Sequence, residues 1–134
     1  MALITVEQVA AAYAALASGD RASMLEMWHE DMRWLVPGHN RLSGWKNNVD
    51  EFMQFMADVG RLSDNSFRMD TVVVNLADDS SADVTHNTGN RAGEPDRRLD
   101  IAVIHWMRWR DGKVYEARGA IFGDGTAQYD EFWS

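Results

Sequence analysis

Cysteine is absent from the 134 residues. That excludes disulfides, thiolate nucleophiles and zinc–thiolate sites, and it suits a reducing compartment, so the cytoplasm is the expected location. Proline occurs only twice, at Pro37 and Pro95, so each marks a break worth reading. Basic residues are the minority charge: 13 Lys and Arg against 21 Asp and Glu, a formal net charge of −8. Counterion release at a phosphate backbone needs clustered cations, and none cluster, so no nucleic-acid partner is expected. The nearest approach, Arg97-Arg98 with Arg91 close by, lies among Glu94 and Asp96 and reads as a solvated turn. No apolar run approaches the roughly 20 residues that cross a bilayer. The first segment has no basic leader and is interrupted by Glu7, so no membrane contact and no signal peptide are expected.

With 46% hydrophobic and 25% charged residues, the chain reads as one globular domain over residues 1–134. Thr5-Val6-Glu7-Gln8 is a capping box, followed by Val6, Val9, Tyr13 and Leu16 at helical spacing and a stop at Gly19. Asp20 offers the cap of a second helix running to about His29, with Met24, Leu25 and Trp28 as its stripe. "DMRWLVPG" reads as a short strand. A third helix is predicted from about Asn47 to Val59, with Val49, Phe52, Met53 and Met56 on one face and Gly60 as its stop.

From Ser66 the hydrophobic period becomes two. "SFRMDTVVVNLA", "SADVTHNTGNR", "RRLDIAVIHWMRWR" and "KVYEARGAIFG" read as four strands. The joints are "ADDSS", a type I turn at Pro95 in "GEPDR", and "RDGK" as a three-residue hairpin with Gly112 left-handed. Thr126 is placed to cap a last helical turn. Helices followed by an antiparallel meander define an α+β layer fold, and a sheet curled round its helices encloses a pocket of the kind that holds small apolar ligands.

Three stretches, "AAYAALASGDRASMLEMWHEDMRW", "VPGHNRLSGWKNNVDEF" and "IHWMRWRDGKVYEARGAIFGDGTAQYDEFW", resemble the SnoaL-like branch of the nuclear-transport-factor-2-like superfamily. The resemblance implies a conical, cystatin-like α+β barrel, with N-terminal helices on a curved, mostly antiparallel sheet around one pocket, and a homodimer. Relatives include ketosteroid isomerases, limonene-type epoxide hydrolases, polyketide cyclases and binders without an assigned reaction. Family sites carry over poorly. The isomerase's general-base Asp falls on Val36 and its helix tyrosine on Ala12, one position from Tyr13. Its protonated strand Asp falls on His105. The hydrolase Arg and Asp fall on His86 and Thr88, and its second Asp falls on Gly119.

His105, inside "IAVIHWMRW", is the leading candidate for an acid–base group or oxyanion donor; the competing reading is a hydrogen-bonded core histidine. If the Pro95-Asp96 turn sets the register without a bulge, His86 opposes His105 with Cβ atoms roughly 4.5–5.5 Å apart, a coupled pair. A one-residue bulge moves His86 to the other face. Tyr13 is a third candidate catalytic group, because a buried phenol needs a partner. His39 and Asn40 read as a pocket rim that orients a polar substituent, with an exposed turn as the alternative. Trp34, Val36, Thr88, Val103 and Met107 read as substrate wall, and Gly119 as room left for a ligand. Trp106 and Trp109 fall on opposite faces, one of them serving a dimer. Asp83 and Asp100 are the remaining strand acids, and Asp124 reads as a turn or cap. No metal-ligand spacing, phosphate loop or Gly-x-Ser-x-Gly occurs, so no cofactor and no metal are expected. The expectation is a cofactor-free isomerase, cyclase or hydrolase of a small apolar molecule (terpenoid, steroid or polyketide-like), or else a non-catalytic dimeric binder of one.

Overall fold

Two short helices lead into the sheet, and the capping chemistry read from the sequence fixes where they start. A computed structural model describes residues 3–134. Helix α1 spans Val6–Ser18, and Thr5 and Gln8 form the reciprocal cap, with Oγ1 accepting from Gln8 N at 3.1 Å and Oε1 from Thr5 N at 2.9 Å. Asp20 caps α2, Arg21–Met27, which ends two residues earlier than expected. Trp28 and His29 instead begin strand β1, Trp28–Val36. The reason is packing: Trp28 is fully buried, stacks on Phe52 and donates its indole N–H to the Ala12 carbonyl at 3.1 Å. A short strand β2, Gly44–Lys46, precedes α3, Val49–Ser63. Gly60 does not stop α3, because the apolar stripe Val49, Phe52, Phe55, Val59 and Leu62 continues past it. A mid-helix glycine costs only about 1 kcal/mol, which that burial offsets.

The meander follows as β3 (Arg68–Leu76), β4 (Ser80–Arg91), β5 (Glu94–Arg110) and β6 (Lys113–Ile121), and α4 (Gly125–Trp133) closes the chain. Asp124, not Thr126, is the residue ahead of α4, and it makes no side-chain cap. The strands form one sheet in the order β2-β1-β6-β5-β4-β3. All neighbours are antiparallel except β1 and β6, which are parallel. The edge strands β2 and β3 do not pair, so the sheet is open rather than a closed barrel, and its helices pack against it as an α+β layer.

Two hairpins differ from expectation, and one of them decides the site. At "RDGK", Asp111 and Gly112 both have positive φ (54° and 78°) and Arg110 pairs with Lys113. That is the backbone of a two-residue type I′ turn, whose twist suits paired strands. Between β4 and β5 the chain turns at Ala92-Gly93, with Gly93 at φ 76° and Arg91 opposite Glu94; Pro95 lies within the strand. Next along, Asn90 pairs with Arg98, so three extra residues of β5 bulge out at that end. From there inward the pairing is regular, and it sets Asp83 opposite His105 and His86 opposite Ala102. The register differs by an odd number from a turn centred on Pro95-Asp96, so side chains of β4 exchange faces.

Arg91 and Arg97 are not solvated turn residues. Arg91 donates to the carbonyls of Leu62 and Ser134, and Arg97 to the carbonyl oxygens of Glu131 and Ser134 and to the Ser134 hydroxyl. Together they fasten the end of α4 to the sheet, which places Tyr129, Phe132 and Trp133 in the core.

Candidate active site

Along β5 the odd residues Leu99, Ile101, Val103, His105, Met107 and Trp109 all face inward and are buried. The partner positions of β4 are Ser81, Asp83, Thr85 and Asn87, so this strand turns a wholly polar stripe into the protein. Such a stripe persists only if it is hydrogen-bonded. Ser81 Oγ accepts from the Trp109 indole at 2.9 Å, and the Thr85 hydroxyl donates to Asn87 Oδ1 at 2.6 Å. Asp83, with no exposed surface, accepts the Tyr13 hydroxyl at 2.7 Å and 2.9 Å through its two oxygens.

His105 stands directly across from Asp83, with Nδ1 3.4 Å from Oδ1. The two groups are close enough to pair if the imidazole is protonated, but they do not form a hydrogen bond, and Nδ1 has no hydrogen-bond partner among the described residues. Catalytic hydrogen bonds are often long before substrate binds and tighten afterwards. The imidazole is wedged against Trp34 (ring centroids 5.2 Å apart) and Tyr13 (6.0 Å). Burial pushes the Tyr13 phenol well above its ordinary range, and the Asp83 charge and hydrogen bond push the same way. Tyr13 therefore stays a neutral donor, and its single O–H is spent on Asp83. That bond holds the Asp83 carboxylate in place.

Two cavities flank this cluster. The larger, about 650 Å³, lies between α1, α3 and the start of β3, with Tyr13, Phe52, Phe67 and the methionines Met24, Met53, Met56 and Met69 in its wall. The smaller, about 30 Å³, is lined by Trp34, Val36, Val103 and His105 together with Asn87 and Tyr129. Met56, Phe67 and Met69 belong to both walls and form the partition between them. Methionine is unbranched and adaptable, so a partition with two of them yields to a ligand more readily than one of branched residues.

Several expectations are corrected by the register. His86 is on the outer face, half exposed, with Nε2 2.6 Å from Asp100 Oδ1; it does not meet His105. Thr88 lies on that same outer face. His39 is exposed, and Asn40 is committed to the protein: Nδ2 donates to Asp130 at 2.8 Å and Oδ1 accepts from Leu42 N at 2.9 Å. Neither lines either of these two cavities. Met107 is fully buried in the core, away from both cavities. At Gly119 the space is taken not by a ligand but by His105 itself: a Cβ there would lie 3.3 Å from His105 Cδ2 and from Pro37 Cδ.

Asp83, Asn87, Tyr129 and the methionines of the larger cavity are not among the site residues the sequence suggests. The signal was present in "SSADVTHN", whose alternation admits either face, but the rule that apolar residues face inward selects the wrong one. His105 and Asp83 make a pair; among the described residues no group of three or more His, Cys, Asp or Glu is placed to hold a metal ion. No helix among the described residues is long and apolar enough to cross a membrane.

The fold and most of the chain have known counterparts. An uncharacterised protein of Mycobacterium tuberculosis (strain H37Rv) is 29% identical over 126 residues, 91% of this chain and 82% of its own. Bal32a, from a soil-derived mobile gene cassette, superposes with a TM-score of 0.84 at 26% identity, covering 96% of this chain and 95% of its own. A Xanthomonas campestris protein of cystatin-like fold does so at 0.82 and 22% identity, over 96% and 97%. TerC, crystallised with polyporic acid, shares the fold at 20% identity and a TM-score of 0.76, over 96% and 98%. A family model describing the SnoaL-like domain matches residues 9–117, from within α1 into β6, which takes in the partition and the whole Tyr13–Asp83–His105 cluster, and the chain belongs to that family.

Proposed function

We propose that the protein takes a small, largely apolar molecule into the 650 Å³ cavity and moves a proton on it through His105, without a cofactor. The volume is typical of a small-molecule site, and its wall is mostly apolar, with four methionines and three aromatic rings. The observation that carries the reading is Asp83: a fully buried carboxylate, gripped by Tyr13 and set behind His105 Nδ1. A carboxylate in that place favours the Nδ1–H tautomer and leaves the Nε2 lone pair as the base, on a ring that lines the smaller cavity beyond the partition. It also stabilises the imidazolium once the proton has arrived.

Isomerisation or cyclisation needs only this proton movement. Epoxide hydrolysis of the type known in relatives is disfavoured, because the positions carried over for it, His86 and Thr88, face outward. TerC shares only the fold, yet polyporic acid is a sensible first ligand to try. For the homodimer we propose the outer face of the sheet, where Trp106 is 40% exposed and Arg108 and Arg118 stack on its ring; sedimentation of wild type against Trp106→Glu tests it. The functional test is a substrate screen followed by His105→Gln. The proposal requires loss of turnover with ligand affinity kept. Full turnover in that variant would leave a binding protein with structural histidines.

A further inference from the structure

The small cavity beside His105 is chemically unlike the large one. It is about 30 Å³, enough for one or two water-sized groups, and it has Asn87 and Tyr129 in its wall with the imidazole. Both are buried, at 3% and 5% exposed. Asn87 is oriented by its neighbour. The Thr85 hydroxyl donates to Oδ1, so the acceptor end of the amide is taken and the NH₂ end, a pure donor, is the one left for the cavity. Tyr129 comes from α4, the helix that Arg91 and Arg97 fasten over β5. Burial raises its pKa, so it too stays a neutral O–H donor. Two buried residues that carry donors line this one small space, with an apolar chamber on the other side of a methionine partition, and together they offer a socket for an oxygen atom.

We infer that Asn87 and Tyr129 bind a carbonyl oxygen of the ligand, so that the molecule accepted is a ketone, aldehyde or quinone with an apolar body. The body occupies the large cavity, and the carbonyl end passes Met56 and Met69 to reach the socket. A carboxylate is a poor occupant, since it would lie near the buried charge of Asp83. A neutral carbonyl accepts two hydrogen bonds without that penalty. Docked so, the carbonyl end lies in the space that His105 also lines. This inference rests on the reading of the large cavity as the ligand chamber, and the experiment separates the two.

The probes are acetophenone with an isotope-labelled carbonyl, and ethylbenzene, which has nearly the same shape without the oxygen. In the wild type the bound carbonyl stretch should lie well below its value in hexane, and acetophenone should bind about ten-fold more tightly than ethylbenzene. Tyr129→Phe keeps the ring and removes the O–H; Asn87→Leu removes the NH₂. Each should return the stretch part of the way toward hexane and weaken acetophenone several-fold, with ethylbenzene affinity unchanged, which also shows that the cavity is intact. A wild-type stretch at the hexane value, or one that neither variant moves, overturns the socket while ethylbenzene binding upholds the chamber. If neither probe binds the wild type, both readings fail.

Discussion

One hairpin carries two histidine–aspartate pairs, and the shorter contact is the less consequential one. His86 and Asp100 lie 2.6 Å apart, but their side chains are 49% and 75% exposed. His105 and Asp83 lie 3.4 Å apart with side chains 4% and 0% exposed. In water the first pair gains little, because a high dielectric and mobile ions screen it and two side chains must be ordered to keep it. In the interior the second pair interacts over the same few ångströms far more strongly, and each member has lost the water that would otherwise satisfy it. The dielectric, not the distance, decides which pair interacts more strongly. Three residues of bulge at the end of the hairpin decide which histidine receives which environment.

The comparison can be broken at either pair. The largest effect is expected in chemistry: His105→Gln should lower turnover by about 10²–10⁴-fold, while His86→Gln leaves it unchanged, as steady-state rates on a screened substrate will show. In stability, Asp83→Ala leaves Tyr13 and His105 buried without their shared partner and should cost about 3–5 kcal/mol in urea unfolding. Tyr13→Phe removes one donor from a buried carboxylate and should cost about 1–3 kcal/mol. It also has a pH signature. The native phenol holds its proton more tightly than the unfolded one, so its contribution is full below the unfolded pKa of about 10 and fades as pH rises beyond it. Alkaline unfolding should therefore be shallower in Tyr13→Phe than in wild type. The smallest effect belongs to the exposed pair: His86→Gln should change stability by less than about 1 kcal/mol, and less still in high salt.

Gly119→Ala sharpens the comparison from a third side. The added methyl meets the His105 ring and Pro37 at 3.3 Å, tighter than ordinary contact, so the imidazole must move by a few tenths of an ångström. Turnover should fall while the outer pair and overall stability change little. A structure of that variant with His105 unmoved would show that the ring has more room than the wild-type packing indicates.

How far the sequence is legible depends on whether a feature is set by neighbours or by partners across the fold. Thr5 and Gln8 announce α1, and period two announces the meander, because both signals are local. The start of β1 at Trp28 is not local: an indole that stacks on Phe52 and bonds Ala12 outweighs the helical pattern before it. The Ala92-Gly93 turn was hidden because Pro95 offers a stronger turn signal two residues later, yet it is Gly93 that takes the left-handed backbone. The polar stripe Ser81, Asp83, Thr85 and Asn87 was unreadable for a related reason. Its outward neighbours Ala82 and Val84 are the apolar ones, and only partners from α1 and β5 make an inward Asp83 tolerable. His105 was legible as a candidate from its own strand; what it works with was not.

The most direct test of the account is the tautomer of His105, read by nitrogen NMR of labelled imidazoles. With Asp83 behind Nδ1, the neutral ring should carry its proton on Nδ1 and keep Nε2 bare, and Asp83→Asn should abolish that preference. A ring protonated on Nε2, or one indifferent to Asp83→Asn, would contradict the claim that this buried carboxylate prepares His105 to accept a proton.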